Sequence, residues 1–180
     1  MGILLGFAPF IVFTLLTELS VSLALWIAFA AAFAIGIRDF LHAKMIRTLD
    51  VGCLLLFALL AIYAGFIQPS LSVQGVRMIA DAWLLLMALG SMAVRRPFTL
   101  QYMRDEYPDM PDTPEFLRAN DVLTGVWAIG FLVMGLADGI ATFNRKWPIS
   151  LDIAVGLAAL ALAIVFTVRY QGLPLRNNSR

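Results

Sequence analysis

Five charged residues stand near the ends of long apolar segments and could line a polar route through a membrane. Arg77 precedes Asp81 by four residues, a spacing that puts two side chains on one face of a helix. A charge at the centre of a bilayer costs about 2.5–3.5 kcal/mol on insertion scales, so a carboxylate inside a membrane indicates a functional polar route. The residues that could line such a route for ions or small solutes are Glu18, Arg77, Asp81, Asp138 and Asp152.

A simpler interpretation of the same residues is interfacial charge, paired and hydrated, where the cost of a charge is much lower. All the carboxylates fall toward the ends of their segments, and Arg145 and Lys146 follow Asp138 on a short loop. The two interpretations differ in geometry. A polar route needs the carboxylates to converge, whereas interfacial charges can each point separately to lipid headgroups.

No residue pattern in the chain indicates catalysis. The sequence has no Gly-rich nucleotide loop, no HExxH and no GxSxG. Its single cysteine, Cys53, cannot form a disulfide within the chain, and with the single histidine, His42, it argues against a thiolate or haem site. We therefore expect no enzyme activity, no metal and no cofactor.

The composition indicates that most of the chain lies in the lipid bilayer. Of its 180 residues, 61% are hydrophobic and 14% are charged, and the mean hydropathy is +0.87. A soluble domain has about 45–50% apolar and about 25% charged residues. The net charge of +1 gives no reason to expect a nucleic-acid partner.

The apolar segments predict an all-α, polytopic membrane helical bundle, because each is close to the roughly 20 residues that cross the hydrocarbon. Only "TELS" interrupts the stretch from Gly2 to Ile37, so the alternatives are six spans, or five if the first segment does not cross. The predicted segments are Gly2–Thr17, Val21–Ile37, Val51–Ile67, Met78–Val94, Val122–Phe143 and Ile149–Val168.

The distribution of Lys and Arg predicts the orientation of the spans. Ten basic residues fall on one side and three, Arg77, Arg145 and Lys146, on the other, which puts the C-terminus in the cytoplasm. Basic residues beside a membrane bind anionic headgroups, and exposed ones can dock partners. The candidates for such lipid or docking contacts on the cytoplasmic side are Arg38, Lys44, Arg47, Arg95, Arg96 and Arg104.

The chain is predicted to be one transmembrane domain over 1–180, with a cytoplasmic amphipathic and proline-rich connecting segment over 95–120. After Pro97 the pattern predicts a short helix on the membrane, with Phe98 and Tyr102 toward lipid. Three further prolines forbid regular structure, and a helix restarts with Thr113 as N-cap and Pro114 in its first turn.

A weak internal similarity raises the hypothesis of an inverted 3+3 repeat. "LWIAFAAAFAIGIRD" (25–39) resembles "VWAIGFLVMGLAD" (126–138), and "TLDVGCLLLFALLAI" (48–62) resembles "SLDIAVGLAALALAI" (150–164). Three spans separate the paired units, so the halves would be inverted in the membrane, as in many transporters. The alternative is that apolar helices rich in Leu, Ala and Ile resemble one another without common descent.

Several blocks, in order, resemble a known family. "GFAPFIVF", "RRPFTLQYM", "LTGVWAIGFLVMGLAD" and "VRYQGLP" extend across nearly all of the chain. They resemble the bacterial intracellular septation protein A family of inner-membrane proteins, most specifically in the Arg95–Arg96–Pro97 block and in Trp127 to Ala137. Asp138 stands where the better-known members have Asn, which indicates a divergent branch.

The resemblance implies a multi-spanning protein of the bacterial inner membrane, tied to cell division and envelope synthesis. It also implies contacts with other inner-membrane proteins and carries no catalytic residues. Our leading functional expectation is therefore a non-enzymatic envelope or septation factor that binds membrane lipids and membrane proteins, and that can form homo-oligomers. The alternative is a small-solute or ion transporter or channel with a carboxylate-lined polar pathway.

Overall fold

The structure, a computed structural model, describes residues 5–17, 19–43, 47–68, 71–108, 110–144 and 146–177, with the backbone alone at 42–43 and 171–177. These residues form seven α-helices and contain no strand. The helices are α1 (Ala8–Leu16), α2 (Val21–Ala43), α3 (Thr48–Ile62), α4 (Val73–Ala93), α5 (Phe98–Glu106), α6 (Pro114–Phe143) and α7 (Ile149–Asn177). The chain divides into two compact units, residues 1–76 and 77–180.

In the first unit, α2 packs against both α1 and α3. The ring of Phe57 on α3 lies 4.9 Å from that of Phe10 and 6.2 Å from that of Phe13, both on α1. Helix α3 continues into a π-helical turn, Tyr63–Ile67, which ends where the backbone N–H of Gln68 donates to the carbonyl of Tyr63. Aromatic and aliphatic side chains thus form the core of this unit.

In the second unit, α6 and α7 pack against each other as a helical hairpin. Small residues lie at the contact: a Cβ atom added to Gly130 would be 3.9 Å from the Ala159 carbonyl oxygen and from the Ala163 Cβ. The buried indole of Trp127 donates to the Thr167 hydroxyl at 3.1 Å. Small residues that allow close approach, and interhelical hydrogen bonds, are typical of helix pairs in membranes.

The end of α4 is a turn built on the two arginines that precede Pro97. The Arg96 N–H donates to the Ser91 carbonyl and the Arg95 N–H to the Met92 carbonyl, the bonds of a Schellman motif. Arg95 takes the left-handed position of this motif, with φ of 55°, which glycine usually occupies. The Ser91 hydroxyl then accepts from the Phe98 N–H at 3.1 Å and so connects α4 to α5.

Helix α5 forms where the amphipathic pattern predicts it, but its apolar side chains face protein. Phe98 and Tyr102, which we expected to face lipid, are buried. Leu100 and Met103 pack against Phe116 at the start of α6. The expectation of a lipid-facing surface is therefore wrong: an apolar stripe needs a nonpolar neighbour, and here the neighbour is α6. The predicted N-cap is confirmed, because the Thr113 hydroxyl accepts from the Phe116 N–H.

Five helices are long and apolar enough to cross a membrane, and they agree with the last five predicted segments. They are Val21–Leu41, Thr48–Ile67, Val73–Ala93, Pro114–Phe143 and Ile149–Tyr170. Large apolar side chains such as Leu86, Ile129 and Leu162 are more than 60% exposed, as expected of surfaces that face lipid. Helix α1 has nine residues, about 14 Å at 1.5 Å per residue. The chain is thus an all-helical, multi-pass membrane protein.

Candidate functional site

The second unit holds an arginine among three aspartates, donated by three different helices. Arg77 lies near the start of α4, and its Nε is 3.2 Å from Asp138 Oδ1 near the end of α6. Its Nη1 is 3.4 Å from Asp152 Oδ2 in the first turn of α7. Asp81, one turn further along α4, lies beside Asp138. We call these four residues the Arg77 cluster.

Glycines bring the helices close enough for the cluster to form. A Cβ atom added to Gly135 on α6 would lie 3.3 Å from the Asp81 Cβ on α4, which is tighter than ordinary van der Waals contact. A Cβ atom added to Gly156 on α7 would lie 3.5 Å from Arg77 Nη2, so the guanidinium rests on the surface of α7 at this position. The small-xxx-small pair Gly135 and Gly139 therefore faces α4, where Gly139 contacts Met78.

The carboxylates of the cluster are shielded from solvent. Asp81 is 5% exposed, and Asp138 and Asp152 are each 1% exposed, whereas the Arg77 side chain is 21% exposed. Asp81 and Asp152 are both close neighbours of Asp138. Among the described atoms, both carboxyl oxygens of Asp138 and of Asp152 lack a hydrogen-bond donor.

The charge of the cluster is unbalanced. Three carboxylates face one guanidinium, which leaves two formal negative charges (3 − 1 = 2) in a buried position. Two carboxylates that share a site cannot both stay ionised at low cost. The cluster therefore holds more carboxylate than one guanidinium can neutralise. Arg77 fixes the position of Asp138 and Asp152, while Asp81 is the carboxylate for which no ion pair within 4.0 Å is seen in the described residues.

The structure brings together four of the five residues predicted to line a polar route: Arg77, Asp81, Asp138 and Asp152. The fifth, Glu18, and the neighbouring Arg145 lie outside the described residues. The burial of the three aspartates differs from the hydrated, separate charges of the simpler interpretation. The i, i+4 spacing of Arg77 and Asp81 indicated a shared face, but the partners of Arg77 come from α6 and α7.

Two arginines of the predicted cytoplasmic contact set are engaged within the first unit. Arg47 pairs with the buried Asp39, and the side chain of Arg47 is 11% exposed. Arg38 contacts the same carboxylate at 2.9 Å and is 48% exposed. Lys44 lies outside the described residues. Of this group, Arg38 is the arginine that the structure leaves reachable by a headgroup.

The other three arginines of that set belong to the second unit. Arg104 pairs with Asp112 at 2.6 Å, and both side chains are about half exposed. Arg95 and Arg96 are exposed, and neither pairs with a carboxylate in the described part of the chain. The turn that ends α4 therefore presents two free guanidinium groups in a fixed backbone conformation.

A second buried polar group joins α5 to α6 and was not predicted. The Thr99 hydroxyl donates to the Asn120 carbonyl at 3.0 Å and lies 2.8 Å from the Thr124 hydroxyl. The Asn120 amide donates to the Phe116 carbonyl at 2.9 Å. The sequence signal for this group is the spacing of four residues between Asn120 and Thr124, which puts both on one face of α6.

Among the described residues, no group of three or more His, Cys, Asp or Glu side chains has the geometry to hold a metal ion, the Arg77 cluster included. Comparison of the chain with protein-family models, curated protein sequences and solved structures finds no match.

Proposed function

We propose that the protein is a small-solute or ion transporter or channel of the membrane, and that the Arg77 cluster is part of its polar pathway. The observation that carries the proposal is the buried excess of carboxylate over guanidinium where α4, α6 and α7 meet. Ionisable groups inside a membrane are costly to keep and mark ion and proton routes. A buried ion pair is weak evidence for a purely stabilising role.

The orientation belongs to the same proposal. Ten basic residues against three favour a cytoplasmic C-terminus, and the Arg77 cluster would then lie toward the outer side. The family resemblance implies that the membrane is the bacterial inner membrane. The helices support five crossings. A sixth would need the segment that ends at Thr17 to cross as well, and it would move the N-terminus to the cytoplasm.

An inverted repeat is part of the proposal, because the two similar segments carry equivalent carboxylates. The alignment pairs Asp39 with Asp138, and Asp50 with Asp152. All four are buried, and Asp39 and Asp138 each pair with an arginine. Asp39 and Asp138 each lie near the end of the first helix of a hairpin, and Asp50 and Asp152 each lie in the first turn of the helix that follows. Inverted repeats are typical of transporters.

Flux measurements on the purified protein test the transport proposal. The full chain is reconstituted into vesicles that contain a fluorescent indicator for H⁺, Na⁺ or K⁺, and a gradient of one cation is imposed. We expect flux of at least one of these cations above that of protein-free vesicles. Asp138→Asn and Asp152→Asn should each lower that flux at least tenfold while the protein still inserts and elutes as a single species.

The matched control is Asp121→Asn, which removes an exposed carboxylate of the same unit away from the cluster. It should leave the flux unchanged. The proposal of an ion pathway fails if none of the three cations moves faster than through empty vesicles, or if the Asp138 and Asp152 variants transport as well as the original protein.

We also propose, as a second candidate, the envelope or septation role that the family resemblance implies. The observation that favours it is the exposed, unpaired Arg95 and Arg96 on a rigid turn beside the membrane. The double variant Arg95→Gly/Arg96→Gln keeps that turn, because glycine suits the left-handed backbone of residue 95. It should lose crosslinked inner-membrane partners in cells, whereas Arg118→Gln, which removes another exposed charge, should keep them. Equal partner recovery from all three proteins would rule out docking at this turn.

A further inference from the structure

An open groove of about 720 Å³ follows the contact between α6 and α7 in the second unit. Its walls are large apolar side chains, among them Ile129 and Val133 on α6 and Leu162 and Phe166 on α7. Its floor is narrow and formed by the small residues where the two helices touch, Gly130 and Ala163. The volume is in the range of about 300–1,000 Å³ that small-molecule sites occupy.

The length of the groove matches one leaflet of a bilayer. On α7 its lining begins at Val155 and ends at Tyr170, which is about 22 Å at 1.5 Å per residue. One leaflet contributes about 15 Å of hydrocarbon, and the headgroup region adds several ångströms. A single acyl chain that enters from the C-terminal end of α7 would therefore extend along the groove with its headgroup at Arg169 and Tyr170.

The two polar residues of the lining stand together at that end. Arg169 is exposed and makes no ion pair with any residue that the structure describes, and the ring of Tyr170 stacks on Phe166 with centroids 5.1 Å apart. Tyrosine and arginine at the end of a span are typical of the headgroup level. An unpaired guanidinium at the headgroup level binds an anion favourably, and phosphate is the anion that phospholipids supply there.

From this geometry we infer that the α6–α7 groove is a binding site for an anionic phospholipid, with one acyl chain between the apolar walls and the phosphate on Arg169. The charge complementarity favours this occupant over a second copy of the chain, because a copy packed here would bury an unpaired arginine unless it also brought a carboxylate. The proposal is independent of transport through the Arg77 cluster.

Native mass spectrometry of the full chain, exchanged into mixed micelles with phosphatidylglycerol or phosphatidylcholine, tests the site. We expect the original protein to retain phosphatidylglycerol about five- to tenfold more tightly than phosphatidylcholine, as one nearby basic residue supports. Arg169→Gln should abolish this preference. Ala158→Phe, which fills the groove from an exposed position in its lining, should reduce retention of both lipids.

Two matched variants control for charge and bulk. Arg118→Gln removes an exposed arginine that does not line the groove, and Ala161→Phe adds the same ring at an exposed position of α7 outside it. Both should bind lipid as the original protein does. Equal loss of preference in Arg118→Gln and Arg169→Gln would mean general attraction of anionic lipid and would overturn the site. Lipid retention by Ala158→Phe equal to that of the original protein would also overturn the site. A dimer of the original protein that is lost in Ala158→Phe, with no change in bound lipid, would show instead that a second copy of the chain occupies the groove.

Discussion

Removal of the Arg77 charge is the sharpest test of the cluster as a buried electrostatic unit. In Arg77→Gln, the carboxylates of Asp138 and Asp152, each 1% exposed, lose the cation that lies 3.2 Å and 3.4 Å away. Breaking a buried ion pair by removing one partner costs about 3–5 kcal/mol, because it leaves an uncompensated charge. Since the Arg77 side chain is 21% exposed, water screens part of this interaction, and we expect the free energy of unfolding to fall by about 3 kcal/mol.

The loss can be read from thermal unfolding in one detergent, followed by tryptophan fluorescence. For a chain of this size about 1 kcal/mol corresponds to about 2–4 °C, so Arg77→Gln should lower the Tm by about 6–12 °C. The triple variant Arg77→Gln/Asp138→Asn/Asp152→Asn removes the charges on both sides and should recover more than half of that loss, because neutral amides need no counterion.

Arg104→Gln is the matched control, because its partner is Asp112 at 2.6 Å with both side chains about half exposed. An exposed pair contributes about 0–1 kcal/mol, so the Tm should change by less than about 4 °C. If Arg77→Gln lowers the Tm no more than Arg104→Gln, the cluster is hydrated and the reasoning from burial is refuted. A triple variant less stable than Arg77→Gln would refute the charge argument in the same way.

Further variants probe three local features by the same Tm measurement. Gly135→Ala would put a Cβ atom 3.3 Å from the Asp81 Cβ and should not stabilise the protein. Gly90→Ala has open space around the new methyl group and should raise the free energy of unfolding by about 0.5–1 kcal/mol. Equal stabilisation by the two substitutions would contradict the close approach of α4 and α6. Arg95→Gly should raise stability by about 1 kcal/mol, because it relieves a left-handed residue, and a lower Tm would show that the side chain stabilises the turn. Thr113→Ala should cost about 1 kcal/mol through loss of the N-cap bond, and Thr113→Ser should restore it.

The parts of the fold that the sequence predicted are those decided by local chemistry. The five long helices follow from the lengths of apolar segments and from the charges and prolines between them. Thr113 is recognisable as an N-cap because its hydroxyl satisfies a backbone donor three residues ahead. Arg77 and Asp81 are recognisable as neighbours because one turn of helix separates them.

The contacts between helices could not be predicted in the same way. A stripe of apolar residues on α5 has the same pattern whether it faces lipid or protein, and only the presence of Phe116 beside it distinguishes the two. The convergence of Asp138 and Asp152 on Arg77 depends on which faces of α6 and α7 meet α4. Glycine spacing in α6 indicated a close contact but did not identify the partner helix.

The connections between α4 and α6 differ at their two ends, and this difference has a mechanical consequence. Near α5, the hydroxyls of Ser91 and Thr99 bridge one helix to the next through neutral hydrogen bonds. At the opposite end the link is the ion pair of Arg77 with Asp138, whose strength depends on which carboxylates are ionised. We therefore expect α4 and α6 to separate by a hinge motion about the α5 end, so that the Arg77–Asp138 end opens first. Amide hydrogen exchange that is faster around Thr99 than around Asp138 would contradict such a hinge.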